Sequence, residues 1–253
     1  MKSFWTKAAL GAVAIVCAGA VHSAVVDFEN VNTSGMVAAP FFLDGDYASQ
    51  GAFNFGVYDP HNASAQPDLA LVGSLANGGD PGTCLDGICP HGNTSNFLET
   101  VNDGIFYINH GGVKLTLNSF DAAFLAPAGV TLSSGTAAYL AIEADRSNGT
   151  YAVGIFALNG PTAGDTSFAT FMAANAQIIG GSGTLTSGNV TSIFAYAYYC
   201  NPTTGSCNFG SSDRGQFALD NLSISAVPEP SSWLLLVAGL GALGVASRRR
   251  RSA

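Results

Sequence analysis

Val113-Lys114-Leu115-Thr116-Leu117-Asn118-Ser119-Phe120 opens with a strict two-residue alternation. Val113, Leu115 and Leu117 fall on one side of an extended chain, and Lys114, Thr116 and Asn118 on the other. This is the pattern of a strand with one buried face. Working outward, Phe120-Asp121-Ala122-Ala123-Phe124 is a strand-like run, and 137–144, 150–158, 168–172 and 191–199 are further strands. The last of these carries aromatics at both parities, which predicts a central strand covered on both sides. Clusters of Gly, Asn, Ser, Thr and Asp separate the runs, as in Asn77-Gly78-Gly79-Asp80-Pro81-Gly82. Helical periodicity is confined to the two termini, and no fixed repeat argues for a propeller or β-helix. The expectation is an all-β, jelly-roll-like antiparallel β-sandwich over residues 25–226.

The ends of this domain read as its first and last strands. Val25-Val26-Asp27-Phe28-Glu29-Asn30 begins it, and a strand over 214–224 closes it. In the closing strand Phe217 and Leu219 share a face, while Leu222 and Ile224 are out of phase with them. A bulge near Asp220-Asn221 reconciles the two halves. The stretch 38–102 is the least regular and reads as a long loop region holding Asp44-Gly45-Asp46, His61, two cysteines and His91.

The chain has 253 residues, 47% of them hydrophobic, enough for a substantial core. Its charges are partitioned. Lys2 and Lys7 stand at one end and Arg248, Arg249, Arg250 and Arg251 at the other, which leaves 9 − 2 − 4 = 3 basic residues between them. These are Lys114, Arg146 and Arg214, and they face all 17 acids, a balance of 3 − 17 = −14. Phosphate binding needs clustered Lys and Arg, so nucleic acid is excluded as a partner.

Residues 1–24 have the three parts of a secretory signal peptide. Lys2 and Lys7 form the basic start, an apolar run spans 8–20, and small residues follow. Cleavage fits after Ala20, Ser23 or Ala24, with Ala18-Gly19-Ala20 the best match. Such a signal implies the Sec translocon and signal peptidase as partners. At the other end, Val227-Pro228-Glu229-Pro230 precedes an apolar run of 14 residues from Trp233 to Ala246, then Ser247 and the four arginines. A membrane-spanning helix needs ~20 residues. Trp233 and the arginines extend the run as interfacial anchors, which predicts a transmembrane segment over 233–247 with the arginines cytoplasmic. The prolines keep the preceding stretch extended and unpaired, ready for a protease cleft.

This tail, residues 227–253, resembles the PEP-CTERM sorting signal of exported Gram-negative proteins. The resemblance implies an exosortase as partner, transient anchoring, cleavage near the motif, and then a place at the cell surface or in an extracellular matrix. It associates the chain with exopolysaccharide and biofilms. Gln216-Phe217-Ala218-Leu219-Asp220 is similar to the QFxxD signature of one PEP-CTERM group. The terminal strands resemble those of jelly-roll carbohydrate-binding and lectin-like modules. That resemblance implies a structural Ca²⁺ on the first and last strands, with Asp27, Glu29 and Asp220 as the candidates carried over. The alternative role for Asp220 is to cap the bulge through backbone N–H groups.

Four cysteines remain outside the signal, in an oxidising compartment. Cys84–Cys89 and Cys200–Cys207 each enclose turn residues, so local disulfides are expected, although four cysteines allow three connectivities. Their spacing does not fit zinc pairs. G-x-S-x-G, H-E-x-x-H and phosphate-binding loops are absent, and no carboxylate pair stands out among the 17 acids. Phe194, Tyr196, Tyr198 and Tyr199 are the densest aromatic cluster and the candidates for stacking on sugars.

The leading expectation is a non-catalytic exported protein of the matrix or envelope that binds exopolysaccharide. A polysaccharide-acting enzyme on the same fold and a purely structural matrix protein are the alternatives. An enzyme predicts paired carboxylates in a cleft. A binding protein predicts a shallow face of Tyr, Trp and Asn without a perturbed acid pair. A structural protein predicts neither.

Overall fold

The computed structural model describes residues 23–62, 66–85, 89–127, 135–160, 166–201, 203–209, 214–226 and 240. The expected signal helix before Ser23 lies outside the described residues. So do Val227, Pro228, Glu229, Pro230, Trp233 and Arg248 to Arg251. Among the described residues no helix is long and apolar enough to cross a membrane.

The strands are β1 (Ser23–Val26), β2 (Phe41–Leu43), β3 (Tyr47–Gln50), β4 (Phe53–Tyr58), β5 (Leu71–Asn77), β6 (Asn96–Thr100), β7 (Ile105–Asn109), β8 (Leu115–Phe124), β9 (Thr136–Arg146), β10 (Tyr151–Asn159), β11 (Ala169–Met172), β12 (Gln177–Gly181), β13 (Val190–Cys200), β14 (Cys207–Asn208) and β15 (Phe217–Ala226). All pair antiparallel. One layer runs β11-β8-β15-β6-β5-β2, with β1 also on β15. The other runs β12-β10-β9-β13-β7-β4-β3. The layers are joined at one corner, where Val190 pairs with Leu115.

The core lies between the layers because alternate residues of both face inward. Phe120 of β8 meets Phe156 of β10 edge-on at 5.0 Å, and Phe42 of β2 meets Phe55 of β4 at 6.3 Å. Ile193, Ala195, Ala197 and Tyr199 line the same space from β13. Of the alternation expected over 113–120, Leu115 and Leu117 enter the core at the start of β8, whereas Val113 lies before the strand and is exposed. The inward parity then switches at Ser119, where the β15 register shifts, and Phe120, Ala122 and Phe124 continue the core face.

Three further expectations change. The first strand ends at Val26 rather than Asn30. Phe28 has φ of 55°, which turns the chain and seats its ring against Phe55 at 5.4 Å. The stretch 38–102 holds five strands, β2 to β6. They are short, and β5 and β6 are covered on both faces, so their sequences do not alternate. Finally, β13 is central in its hydrogen bonding, but only one of its faces is fully buried; Phe194, Tyr196 and Tyr198 are half-buried on the other. The bulge expected near Asp220-Asn221 is present. The β15–β8 register shifts between Asp220 and Ser223, and Asn221 has φ of 50°.

The outer faces of the two layers differ. Ala76, Phe97, Ala123 and Ala218, from β5, β6, β8 and β15, form a second apolar cluster with Leu125. Cys84, Cys89 and Phe168 cover it from the connections outside the sheet. The Cys84–Cys89 disulfide closes this cover, as expected from the sequence. Ser74, Glu99 and Asp220 are fully buried beneath it. Ser74 and Leu85 N–H both donate to Glu99, at 2.5 and 2.7 Å. The outer face of the β9-β13-β7 layer has no such cover among the described residues.

Candidate functional site

On that open face a groove of about 340 Å³ runs along β13. Its floor is Phe194, Tyr196 and Tyr198, which share one parity of the strand. Tyr58 and Ile105, at the paired ends of β4 and β7, form one wall. Glu143 and Asp145 of β9 form the other. Phe209 closes one end; its ring lies 4.8 Å from Tyr196 and 5.7 Å from Tyr198.

Local chemistry explains why these rings stand there. Phe209 directly follows the short β14 hairpin strand, which pairs Cys207 with Cys200 and is closed by the Cys200–Cys207 disulfide. The second expected disulfide therefore positions a ring of the groove. Tyr107 pairs with Gly56, and a Cβ on Gly56 would lie 2.9 Å from the Tyr107 ring. That close approach lets Tyr107 lie flat enough to meet Tyr58 at 6.5 Å and Phe194 at 6.4 Å.

The electrostatics are one-sided. Glu143 and Asp145 lie two residues apart on β9 and so point the same way. Burial pushes the Glu143 carboxyl above the usual carboxylate range, and the charge of Asp145 adds to the rise. The Tyr196 hydroxyl donates to Glu143 Oε2 at 3.3 Å. Burial, then the nearby Tyr198 and Glu143, push the Tyr196 hydroxyl far up. Tyr58 is raised too, by burial first and then by Glu143 and Asp145. None of the domain's basic side chains lines the groove. Arg146 has the opposite parity and donates to the carbonyls of Ser182 and Thr184 at 2.6 and 2.8 Å. Arg214 sits over the Tyr199 ring.

Of the expected aromatic cluster, the structure brings Phe194, Tyr196 and Tyr198 together. Tyr199 goes to the opposite face of β13, where it is 7% exposed and stacks on Phe124. Alternation along the strand requires this, so Tyr199 is not available to a ligand. Sequence reasoning missed Tyr58, Ile105, Glu143, Asp145 and Phe209. Glu143 had a signal, alternating with buried residues in the strand read over 137–144, whereas Asp145 lay just past that strand and Tyr58 and Phe209 come from strand ends and a hairpin.

The calcium candidates do not form a donor set. β1 and β15 are adjacent, as such a site would require. Yet Asp27 accepts from Gln50 and from Glu29 N–H, and Glu29 accepts from Asn96 N and Nδ2 at 2.8 and 3.0 Å. Asp220 accepts from Asn93, Ser95 and its neighbour Asn221 N–H, the last at 2.7 Å. Among the described residues no three His, Cys, Asp or Glu side chains converge to hold a metal. Calcium needs six to eight converging oxygens, so these residues do not fit it. Asp220 caps the bulge instead, at a cost: burial lifts its carboxyl to about 6.

The other polar residues noted in the sequence organise turns. Asp44 accepts from Asp59 N, Asn62 Nδ2 and Asp68 N. Burial would raise its carboxyl, but these bonds hold it below the usual value. Asp46 accepts from Val37 N and Leu43 N. His61 lies 3.0 Å from Asp59, and His110 packs edge-on against Phe53.

Comparison with known proteins decides the C-terminal segment. The PEP-CTERM protein-sorting motif matches residues 226–251.

These residues are a PEP-CTERM protein-sorting motif.

The PEP-CTERM motif implies an exported, exosortase-processed protein of the cell envelope. No curated protein matches the chain. Among solved structures, the family 11 carbohydrate-binding module of a cellulosomal cellulase of Clostridium thermocellum is similar at 15% identity and TM-score 0.35, over 83% of this chain and 98% of that one. The module in complex with a β-1,3-1,4-mixed-linked tetrasaccharide is similar at 16% identity and TM-score 0.33, over 74% and 94%. An exo-β-agarase is similar at 10% identity and TM-score 0.39, over 82% of this chain and 26% of that one. At such TM-scores these likenesses do not bear on the chemistry of the groove.

Proposed function

We propose that this is a surface or matrix protein whose jelly-roll-like domain binds carbohydrate in the groove on β13. The observation that carries the reading is the row Phe194, Tyr196 and Tyr198, walled by Tyr58 and capped by Phe209. Rings lining an open groove can stack on the apolar faces of pyranoses. Affinity electrophoresis in native gels containing soluble polysaccharides tests this. The native protein is expected to be retarded, and Tyr196→Ala/Tyr198→Ala to migrate freely, an affinity loss of tenfold or more. Equal retardation of the two would remove the groove from the function.

Export uses a signal peptide within residues 1–24 and the segment 227–253 for sorting, through the Sec translocon, signal peptidase and an exosortase. Cleavage after Ala20 is favoured over cleavage after Ala24, because Ser23 and Ala24 pair with Ser225 and Ile224. Replacing Pro228, Glu229 and Pro230 by alanine is expected to leave a membrane-bound precursor, visible as a higher mass in the membrane fraction. Unchanged processing would remove the exosortase from the pathway.

One observation favours a second reading, a polysaccharide-acting enzyme: an acid pair, one member with a raised pKa, lies in the groove. A binding face was expected to lack it. The arrangement nevertheless supports binding over hydrolysis. Glycosidase carboxylates oppose each other across the scissile bond at ~5–10 Å. Glu143 and Asp145 instead stand side by side on one strand, coupled to each other. Release of reducing ends that is lost in Glu143→Gln would reverse this preference.

A further inference from the structure

Resting on the reading that the groove holds sugars, the geometry points to an amine-bearing, cationic saccharide as its ligand. Five aromatic rings and two carboxylates share the wall and floor. The rings serve any pyranose, through its C–H faces. The carboxylates discriminate. They face no basic partner in the groove, and among the described residues neither forms an ion pair. The domain has three basic residues in all, and two of them, Arg146 and Arg214, are occupied on the other side of the sheet.

A uronic acid entering this groove would meet two like charges and the electron-rich faces of Tyr196 and Tyr198. A neutral sugar offers no charge to match the two acids. A protonated amino sugar supplies that charge and is also attracted to the ring faces. A divalent cation is served less well. It needs six or more oxygens, and most of the groove wall is aromatic carbon. Tyr196 adds to the selection, because its hydroxyl donates to Glu143 and holds that carboxylate in place for an incoming ammonium.

The test uses the purified full-length protein and calorimetry with three probes: a glucosamine oligosaccharide, its fully N-acetylated counterpart and an oligogalacturonate, the last with and without calcium. The glucosamine oligomer is expected to bind at least tenfold more tightly than the N-acetylated one in low salt, with the difference shrinking in high salt. Glu143→Gln/Asp145→Asn is expected to abolish the difference between the two glucosamine-series probes. If that variant does not fold, the salt titration of the native protein alone decides. Equal binding of the two glucosamine-series probes would overturn the amine requirement and leave the sugar groove standing. Calcium-dependent preference for oligogalacturonate would overturn it in favour of a metal bridge. Failure of all three probes, together with no effect of Tyr196→Ala on retardation by any polysaccharide, would overturn the groove reading itself.

Discussion

The outer faces of the two layers are built from the same strand chemistry and come to opposite ends. On the β8-β15-β6 layer, small residues and Phe97 point outward and a disulfide-closed connection folds over them, so even Glu99 and Asp220 lose all contact with solvent. On the β9-β13-β7 layer, larger rings point outward and nothing described covers them. The second disulfide does not cover its face; it fixes the hairpin that sets Phe209 at the groove's end. A face of alanines invites a lid, whereas a face of tyrosines with acids beside them can stay open, because each ring keeps a polar tip for water. In the proposed reading, stability and recognition are separated on two sides of one sandwich.

Three changes probe that separation, in falling order of their effect on stability. Phe97→Ala removes a fully buried ring that meets Phe168 at 5.3 Å under the cover. It is expected to cost about 3–5 kcal/mol in urea unfolding and to leave sugar retardation unchanged. A loss below about 1 kcal/mol would show that the cover is not a packed layer.

Asp220→Asn tests the charge beneath the cover. Burial raises the folded carboxyl to about 6, above its ordinary value of 3.8. The folded state therefore holds its proton more tightly than the unfolded chain. The stability associated with that proton is fully present below the unfolded value and is lost as pH rises through about 6. The native protein should gain on Asp220→Asn by roughly 2 kcal/mol between pH 7 and pH 4. A difference that is flat with pH would mean that the bonds from Asn93, Ser95 and Asn221 fully offset the burial.

The smallest expected effect is on the open face. Tyr196→Ala/Tyr198→Ala removes two half-buried rings and should lower unfolding free energy by about 1–2 kcal/mol, less than Phe97→Ala, though it abolishes retardation by polysaccharide. A loss as large as that of Phe97→Ala would show that the rings are structural and erase the contrast between the faces.

The sequence made some of this legible and hid the rest for identifiable reasons. The start of β8 was readable from Leu115 and Leu117, as were the Asp220-Asn221 bulge from a phase change and both disulfides from their turn residues. β5 and β6 were hidden because Val72, Ala76, Phe97 and Leu98 are all buried, which removes the alternation that marks a strand. The groove was half visible. Tyr196 and Tyr198 declared themselves by density, but the same density drew in Tyr199, whose parity sends it to the core. Glu143 and Asp145 were two acids among 17 until the pairing of β9 with β13 placed them beside the rings.

The pairing of β15 also bears on the order in which the molecule can be assembled. β15 hydrogen-bonds to β1, β6 and β8, and among the described strands it is the last to be synthesised. Until it arrives, three earlier strands have edges with no partner, and the covered face has no Ala218 or Asp220 to close upon. Such a chain completes its fold late and through contacts distant in sequence. Ala226, the final residue of that strand, is also the first residue of the sorting motif. The last segment needed to finish the domain thus leads directly into the signal that determines where the domain goes.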